Sequence, residues 1–218
     1  MLREEYFDLL PDISRVAEQL RAEIQFHTLS ISLRLGKHEQ LVVKARIKEC
    51  NSAIDKLRRK QESGDFDRSN PQQYSLTSLH DLAGVRVLAF PRRMLTEIDE
   101  ALQSRFLSPN WTPRPVFNKE TDEVLAFKYH GLCPEASVRV QGEYQIVSML
   151  TGLFWDVEHA AIYKPAPGLK RIKGDKKMND RTSAVYQALT AFEDEFERKI
   201  SQLDASARSM EGVIEPSR

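Results

Sequence analysis

The chain has 218 residues, with 32 basic and 32 acidic side chains, zero formal net charge and 41% hydrophobic residues. That length and apolar content suit one sizeable domain with appendages, and the neutral balance gives no global reason to expect nucleic acid as a partner. Cys50 and Cys133 stand at no metal-ligand spacing and fit a reducing cytoplasmic setting, while the acidic start MLREEYFDLLPD lacks a signal-peptide core and no apolar run approaches the ~18 residues of a membrane span.

In chain order, Ile13, Val16, Leu20 and Ile24 recur at steps of three and four. They predict a helix over 12–31, capped at Asp12, for packing or oligomerisation. LVVKARIK, 41–48, alternates as a strand does, with Val43, Ala45 and Ile47 on one face and Lys44, Arg46 and Lys48 on the other. The following NSAIDKLRRK predicts a basic helix that begins near Asn51 or Ser52 and turns Ile54 and Leu57 inward. A basic strand feeding a basic helix suits a polyphosphate, although solvated charges at a sheet edge account for the same pattern.

Residues 61–77 are polar and punctuated by Gly64 and Pro71, as a loop would be. SLHDLAGVRVLAF, 78–90, is an apolar strand entered at Asp81 and interrupted by Arg86. Those two residues form either an ion pair or two tools for metal and phosphate. MLTEIDEALQSRF carries Leu95, Ile98, Leu102 and Phe106 at helical spacing, and the proline-rich SPNWTPRPVFN should be extended, as an edge strand is. VLAFKYHGLC and ASVRVQGEYQIVSML read as strands, the second broken or bulged at Gly142. Glu143 and Gln145 share the face opposite Tyr144 and Ile146, so Glu143 can meet Asp81 across a sheet. A helix over 148–164 turns Leu150, Phe154, Val157 and Ala161 inward. Glu158 lies beside that face and needs a cation or an amide as partner. The lysine-rich stretch 164–177 reads as a basic loop, and 181–203 as a long helix on Val185, Leu189, Phe192, Phe196, Ile200 and Leu203. Strands mixed with helices in this order define an α/β or α+β domain.

Two carboxylates on neighbouring strands beside a basic strand and helix are the parts of magnesium-assisted nucleotide chemistry, since magnesium takes one or two carboxylates plus substrate phosphates. No Walker loop or GxGxxG is present, so side chains would hold the phosphates. Tyr129 is available to stack on a base. His80, beside Asp81, reads as a turn residue.

Three blocks within 41–164 together resemble the synthetase domain of the RelA/SpoT-type alarmone synthetases, in its small single-domain form. RIKECNSAIDKL is similar to that family's basic R-x-K-x-x-x-S motif, and HDLAGVRV to its signature strand. EYQIVSMLTGLFWDVEHAAIYK is similar to its E-x-Q strand and the W-x-x-(V/L)-E-H-x-x-x-Y-K helix that follows. The resemblance implies an α+β fold, with a mixed nucleotidyltransferase-like sheet flanked by helices. It also implies transfer of pyrophosphate from ATP to the 3′-hydroxyl of GTP or GDP, giving (p)ppGpp and AMP. By position, Arg46, Lys48, Ser52 and Lys56 would grip the ATP phosphates and Arg86 would stack on adenine. Asp81 and Glu143 would hold Mg2+, and Glu143 would help deprotonate the attacking hydroxyl. Gln145, Glu158 and His159 would support the site, and Tyr129 would stack on the acceptor guanine.

The departures fall in one place. Where the family commonly has N-G-Y-R-S-L-H, this chain has FKYHGLC, so Lys128 and His130 become the candidates for acceptor phosphate contacts. Neither has the bidentate fork of arginine. Alternative acceptors are therefore an adenine nucleotide or the 3′ end of tRNA, the latter met by the basic loop 164–177. A third reading is a nucleotide-binding protein with a degraded acceptor site. The expected organisation is a helical extension over 1–40, the synthetase domain over 41–164, and a basic loop with a C-terminal helix over 165–218. By analogy with small relatives, the chain is expected to form a homo-oligomer, a dimer or tetramer, away from membranes.

Overall fold

Tyr6, Leu9, Ile13, Val16, Ala17, Leu20 and Ile24 form one buried stripe, and they lie on a single helix, α1 (Leu2–His27). Burying each of the large apolar ones contributes about 1.5–3 kcal/mol. The helix therefore starts ten residues before the expected Asp12 and runs through Pro11, which is exposed. Packing of Tyr6 and Leu9 outweighs the hydrogen bond that proline removes. The computed structural model describes residues 1–64, 74–106, 111–117, 124–158 and 176–211. It divides into two compact units, Met1–Ser148 and Met149–Arg218.

In the first unit, a short α2 (Leu29–Ser32) follows α1. The sheet then begins with β1 (Gln40–Ile47), whose alternation keeps Leu41, Val43 and Ala45 half-buried and leaves Lys44 and Arg46 exposed. Ile47, expected inward, is 40% exposed because the strand ends there. Helix α3 (Cys50–Glu62) buries Ala53 and Leu57 one turn apart and carries Arg59 and Lys60 in its last turn, where cations suit the helix dipole. A 3-10 turn at Leu76–Ser78 leads into β2 (Ala83–Phe90). Helix α4 (Met94–Phe106) buries Leu95, Ile98, Leu102 and Phe106 as expected, and Asp99 as well. The proline-rich stretch supplies β3 (Trp111–Pro113) and β4 (Val116–Phe117), both paired with β5 (Val124–Cys133), and β6 (Ser137–Ser148) completes the sheet.

The sheet is mixed and six-stranded, in the order β1-β2-β6-β5-β3, with β4 also on β5. β2 and β6 run parallel at its centre, and every other pairing is antiparallel. β6 passes through Gly142 unbroken, and the register shift lies instead between Leu132 and Cys133 of β5. Gly142 has a different use. A Cβ there would stand 2.4 Å from Leu20 Cδ1 and 3.1 Å from Val16 Cγ1, so the glycine lets α1 lie directly on the sheet.

Helix α4 packs beside α1 on that same face. Phe106 meets Tyr144 at 4.9 Å between ring centroids, and Arg105 pairs with Glu23 of α1 at 3.2 Å. One face is thus the apolar core, and the other carries polar side chains together with a buried apolar row of Leu88, Val147 and Ala126.

The second unit holds α5 (Met149–Glu158) and α6 (Lys176–Glu211), which is longer than the expected 181–203. Val157, expected inward, is 63% exposed. Phe154 packs edge-on against Tyr186 at 5.0 Å. Among the described residues no helix is long and apolar enough to cross a membrane.

Candidate active site

Strand register assembles the polar face. Arg46, Gly84, Glu143 and His130 stand opposite one another across β1, β2, β6 and β5, and Lys44, Arg86, Gln145 and Lys128 form the next row. Side chains alternate along a strand, so both rows project from one face. Gly84, between Arg46 and Glu143, leaves a gap in the first row, where a Cβ would come within 3.3 Å of the Glu143 carbonyl. Asp81 sits in the turn just before β2, not on the strand as expected. Asp81, Arg46, Arg86, Glu143 and Gln145 all line one small cleft beside Gly84.

Asp81 is a hub. Its Oδ2 accepts from Lys48 Nζ at 2.8 Å and from Lys56 Nζ at 2.7 Å. Burial pushes its pKa up, but the two ammonium groups outweigh that and hold the carboxyl well below the ordinary range. Lys48, with 10% of its side chain exposed, is pulled down by its own burial against the pull of Asp81. The carboxylate is the group the pair stabilises, because two cations face a single anion. Lys48 and Lys56, expected on ATP phosphates, are here engaged with Asp81.

The hub is braced from α1. Tyr6 donates to the Lys48 carbonyl at 2.8 Å, and Glu5 accepts from the Ser75 hydroxyl at 2.5 Å and the Leu76 amide at 2.8 Å. Ser52, in the first turn of α3, reaches Glu49 at 3.4 Å.

Glu143 is held on both oxygens. Gln145 Nε2 donates to Oε1 at 2.7 Å, and Lys128 Nζ reaches Oε2 at 2.9 Å. By contrast Asp81 Oδ1 and Gln145 Oε1 are buried without a hydrogen-bond partner among the described residues. Unsatisfied buried oxygens beside a second carboxylate fit a hard divalent cation, which takes oxygen ligands. The donors number two carboxylates, Asp81 and Glu143. No cluster of three or more His, Cys, Asp or Glu placed to hold a metal occurs among the described residues. That set suits magnesium, which completes its shell with phosphate and water.

His130 is 7% exposed and packs on His80 at 4.5 Å between ring centroids. His80 Nδ1 lies 2.5 Å from Gln141 Oε1, so Nδ1 carries the ring proton. Burial lowers the pKa of both rings; the bond to Gln141 opposes it at His80, and His80 and Arg114 add to it at His130.

Tyr129 corrects an expectation. It stands opposite Tyr144, on the core face, with the two rings stacked at 4.8 Å and only 6% of Tyr129 exposed. Its hydroxyl accepts from Gln103 of α4 at 3.2 Å, and Gln103 also donates to buried Asp99 at 2.5 Å. Burial and Asp99 push the phenol up to about 12. An acceptor base bound on the polar face cannot reach this ring. Asp99 and Gln103 carried no sequence signal beyond their place on α4, but Tyr129 did. FKYH alternates apolar and polar, which puts Tyr129 with Phe127 and Lys128 with His130.

Glu158 belongs to the second unit, where it accepts from the Tyr186 hydroxyl at 2.5 Å, a phenol in place of the expected cation or amide. His159 lies outside the described residues, as does the basic stretch up to residue 175.

A mixed sheet with helices on one face and two carboxylates among cations on the other is an α+β arrangement. More particularly, the chain has the fold of the small alarmone synthetases. It superposes on small alarmone synthetase 1 of Bacillus subtilis bound to its product pppGpp with a TM-score of 0.66 at 16% identity, over 92% of this chain and 99% of that one. The same enzyme bound to AMPCPP gives 0.62 at 18% identity, over 91% and 99%. A GTP pyrophosphokinase family protein from Streptococcus pneumoniae gives 0.59 at 15%, over 98% of each chain. No family model matches the sequence, and no curated protein matches it.

Proposed function

We propose that this chain is an ATP-dependent pyrophosphokinase that transfers the β,γ-pyrophosphate of ATP to the 3′-hydroxyl of GTP or GDP. The observation that carries this reading is the convergence of Asp81, Glu143, Arg46 and Arg86 on one cleft, in a fold shared with alarmone synthetases. Arg46, Lys48, Ser52 and Lys56 would take the donor phosphates, and Arg86 the adenine. The residues that would hold magnesium are Asp81 and Glu143; bound there, it supplies positive charge beside the reacting phosphates. The acceptor 3′-oxygen bonds to the β-phosphorus, the bridge to the α-phosphorus breaks, and AMP leaves with that bridging oxygen. Glu143 receives the hydroxyl proton. Such transfer depends chiefly on in-line placement and neutralised charge, which a rigid strand pair flanked by cations provides.

The acceptor half supports a second reading. With Tyr129 turned into the core, the polar face offers Lys128 and His130 and, among the described residues, no tyrosine placed to stack a guanine, which favours another 3′-hydroxyl, of an adenine nucleotide or a tRNA end, as the acceptor. Incubation with labelled ATP, magnesium and each acceptor in turn, resolved by anion exchange, separates the two. AMP formed with GTP or GDP supports the first reading, and product with tRNA or an adenine nucleotide alone supports the second. No AMP with any acceptor refutes both.

A further inference from the structure

Lys128 stands directly opposite Gln145 on the paired strands, yet its ammonium leans diagonally to Glu143 Oε2 at 2.9 Å. With Gln145 on Oε1, the chain's own side chains engage both oxygens of Glu143. Asp81 differs, because both its lysines converge on Oδ2 and leave Oδ1 without a partner. The two carboxylates of the cleft are therefore unequal. One offers an oxygen to a cation, and the other must first give up a lysine.

Lysine is a flexible point charge on a long stem, without arginine's bidentate hold. Lys128 keeps 29% of its side chain exposed against 12% for Glu143, so the ammonium has a route away from the carboxylate. We propose that Lys128 is a positioning residue that competes with the divalent cation for Glu143. When the cation takes the carboxylate, Lys128 is released toward the anionic acceptor. The acceptor half of this inference rests on the pyrophosphokinase reading, and the competition itself does not. It makes metal binding and acceptor capture mutually supporting, since each removes Lys128 from Glu143 or holds it away.

The test uses the full chain and Mn2+ as the probe, an ion of the same oxygen preference that is read by paramagnetic resonance without nucleotide. Lys128→Gln should bind Mn2+ about tenfold more tightly than wild type, because a cation beside the ligand oxygen is gone. Lys128→Arg, which keeps the charge, should stay near wild type. Adding Glu143→Gln should erase the gain. With the acceptor found active above, Lys128→Gln should raise KM about tenfold and leave kcat within a few-fold, the signature of lost ground-state contact. Unchanged Mn2+ affinity in Lys128→Gln, or a gain that survives Glu143→Gln, overturns the competition. Absence of AMP with every acceptor overturns the enzymatic reading alone, and the Mn2+ comparison still decides the inference.

Discussion

Replacing Asp81 by asparagine removes the anion that Lys48 and Lys56 share at 2.8 and 2.7 Å. The asparagine keeps the shape but leaves Lys48, 10% exposed, without the carboxylate that stabilises its charge. Breaking a buried pair by deleting one partner costs about 3–5 kcal/mol, and the partial exposure of Lys56, at 34%, places this case near the lower end, at about 3 kcal/mol. For a chain of this length that lowers the unfolding midpoint by about 6–12 °C. Asp81→Asn should therefore lose stability as well as turnover. Adding Lys48→Met should recover about half of the lost stability, by replacing the stranded cation with an apolar chain, without restoring turnover. Thermal melts followed by circular dichroism, alongside AMP release, provide the readout. A variant that melts within about 1 °C of wild type would show that Asp81 is not the hub described, whatever its effect on activity.

Tyr129→Phe should cost about 1 kcal/mol in urea unfolding, for the bond from Gln103, while Tyr129→Ala should cost about 3–5 kcal/mol. A Tyr129→Ala chain as stable as wild type but deficient in acceptor use would return the ring to the polar face. Gly142→Ala should destabilise by about 1–3 kcal/mol, because its methyl meets Leu20 at 2.4 Å, and pairing it with Leu20→Ala should restore part of that loss. His80 and His130 have pKa values lowered from 6.5, so the unfolded chain binds more protons near that pH. Their contribution to stability is complete above 6.5 and is lost as pH falls through the folded values. A His80→Gln, His130→Gln double variant should flatten the stability profile below pH 6.5, and an unaltered slope in unfolding titrations would contradict the assignment.

Local pattern made much of the fold legible. The 3.6-residue stripe on α4 and the alternation of β1 are signals that burial alone enforces, and the E-x-Q spacing puts Glu143 and Gln145 on one face whatever strand lies beside them. What was not legible depends on register and on distant packing. The start of α1 is set by Tyr6 and Leu9 meeting residues far along the chain, so Pro11 misleads as a boundary. Motif position assigns Tyr129 to a base, whereas the alternation of its own strand turns it to the core. The lysine pair on Asp81 joins three segments, and no one of them announces it. The unequal carboxylates emerge only when Lys128 is seen leaning off its directly paired neighbour.

The placement of α1 also bears on how the chain reaches this structure. Helix α1 precedes in the chain the strands it packs on, has its stripe facing Gly142 and is tied by Arg139 to Asp8, a contact spanning 131 residues. Its apolar side packs on β1 and β2 as well, and is fully covered only once β6 is in place. Contacts so distant along the chain slow folding and leave hydrophobic surface open to other molecules in the interval. The helix that braces the Asp81 hub is thus also a segment whose apolar side stays open until the strands that cover it have followed.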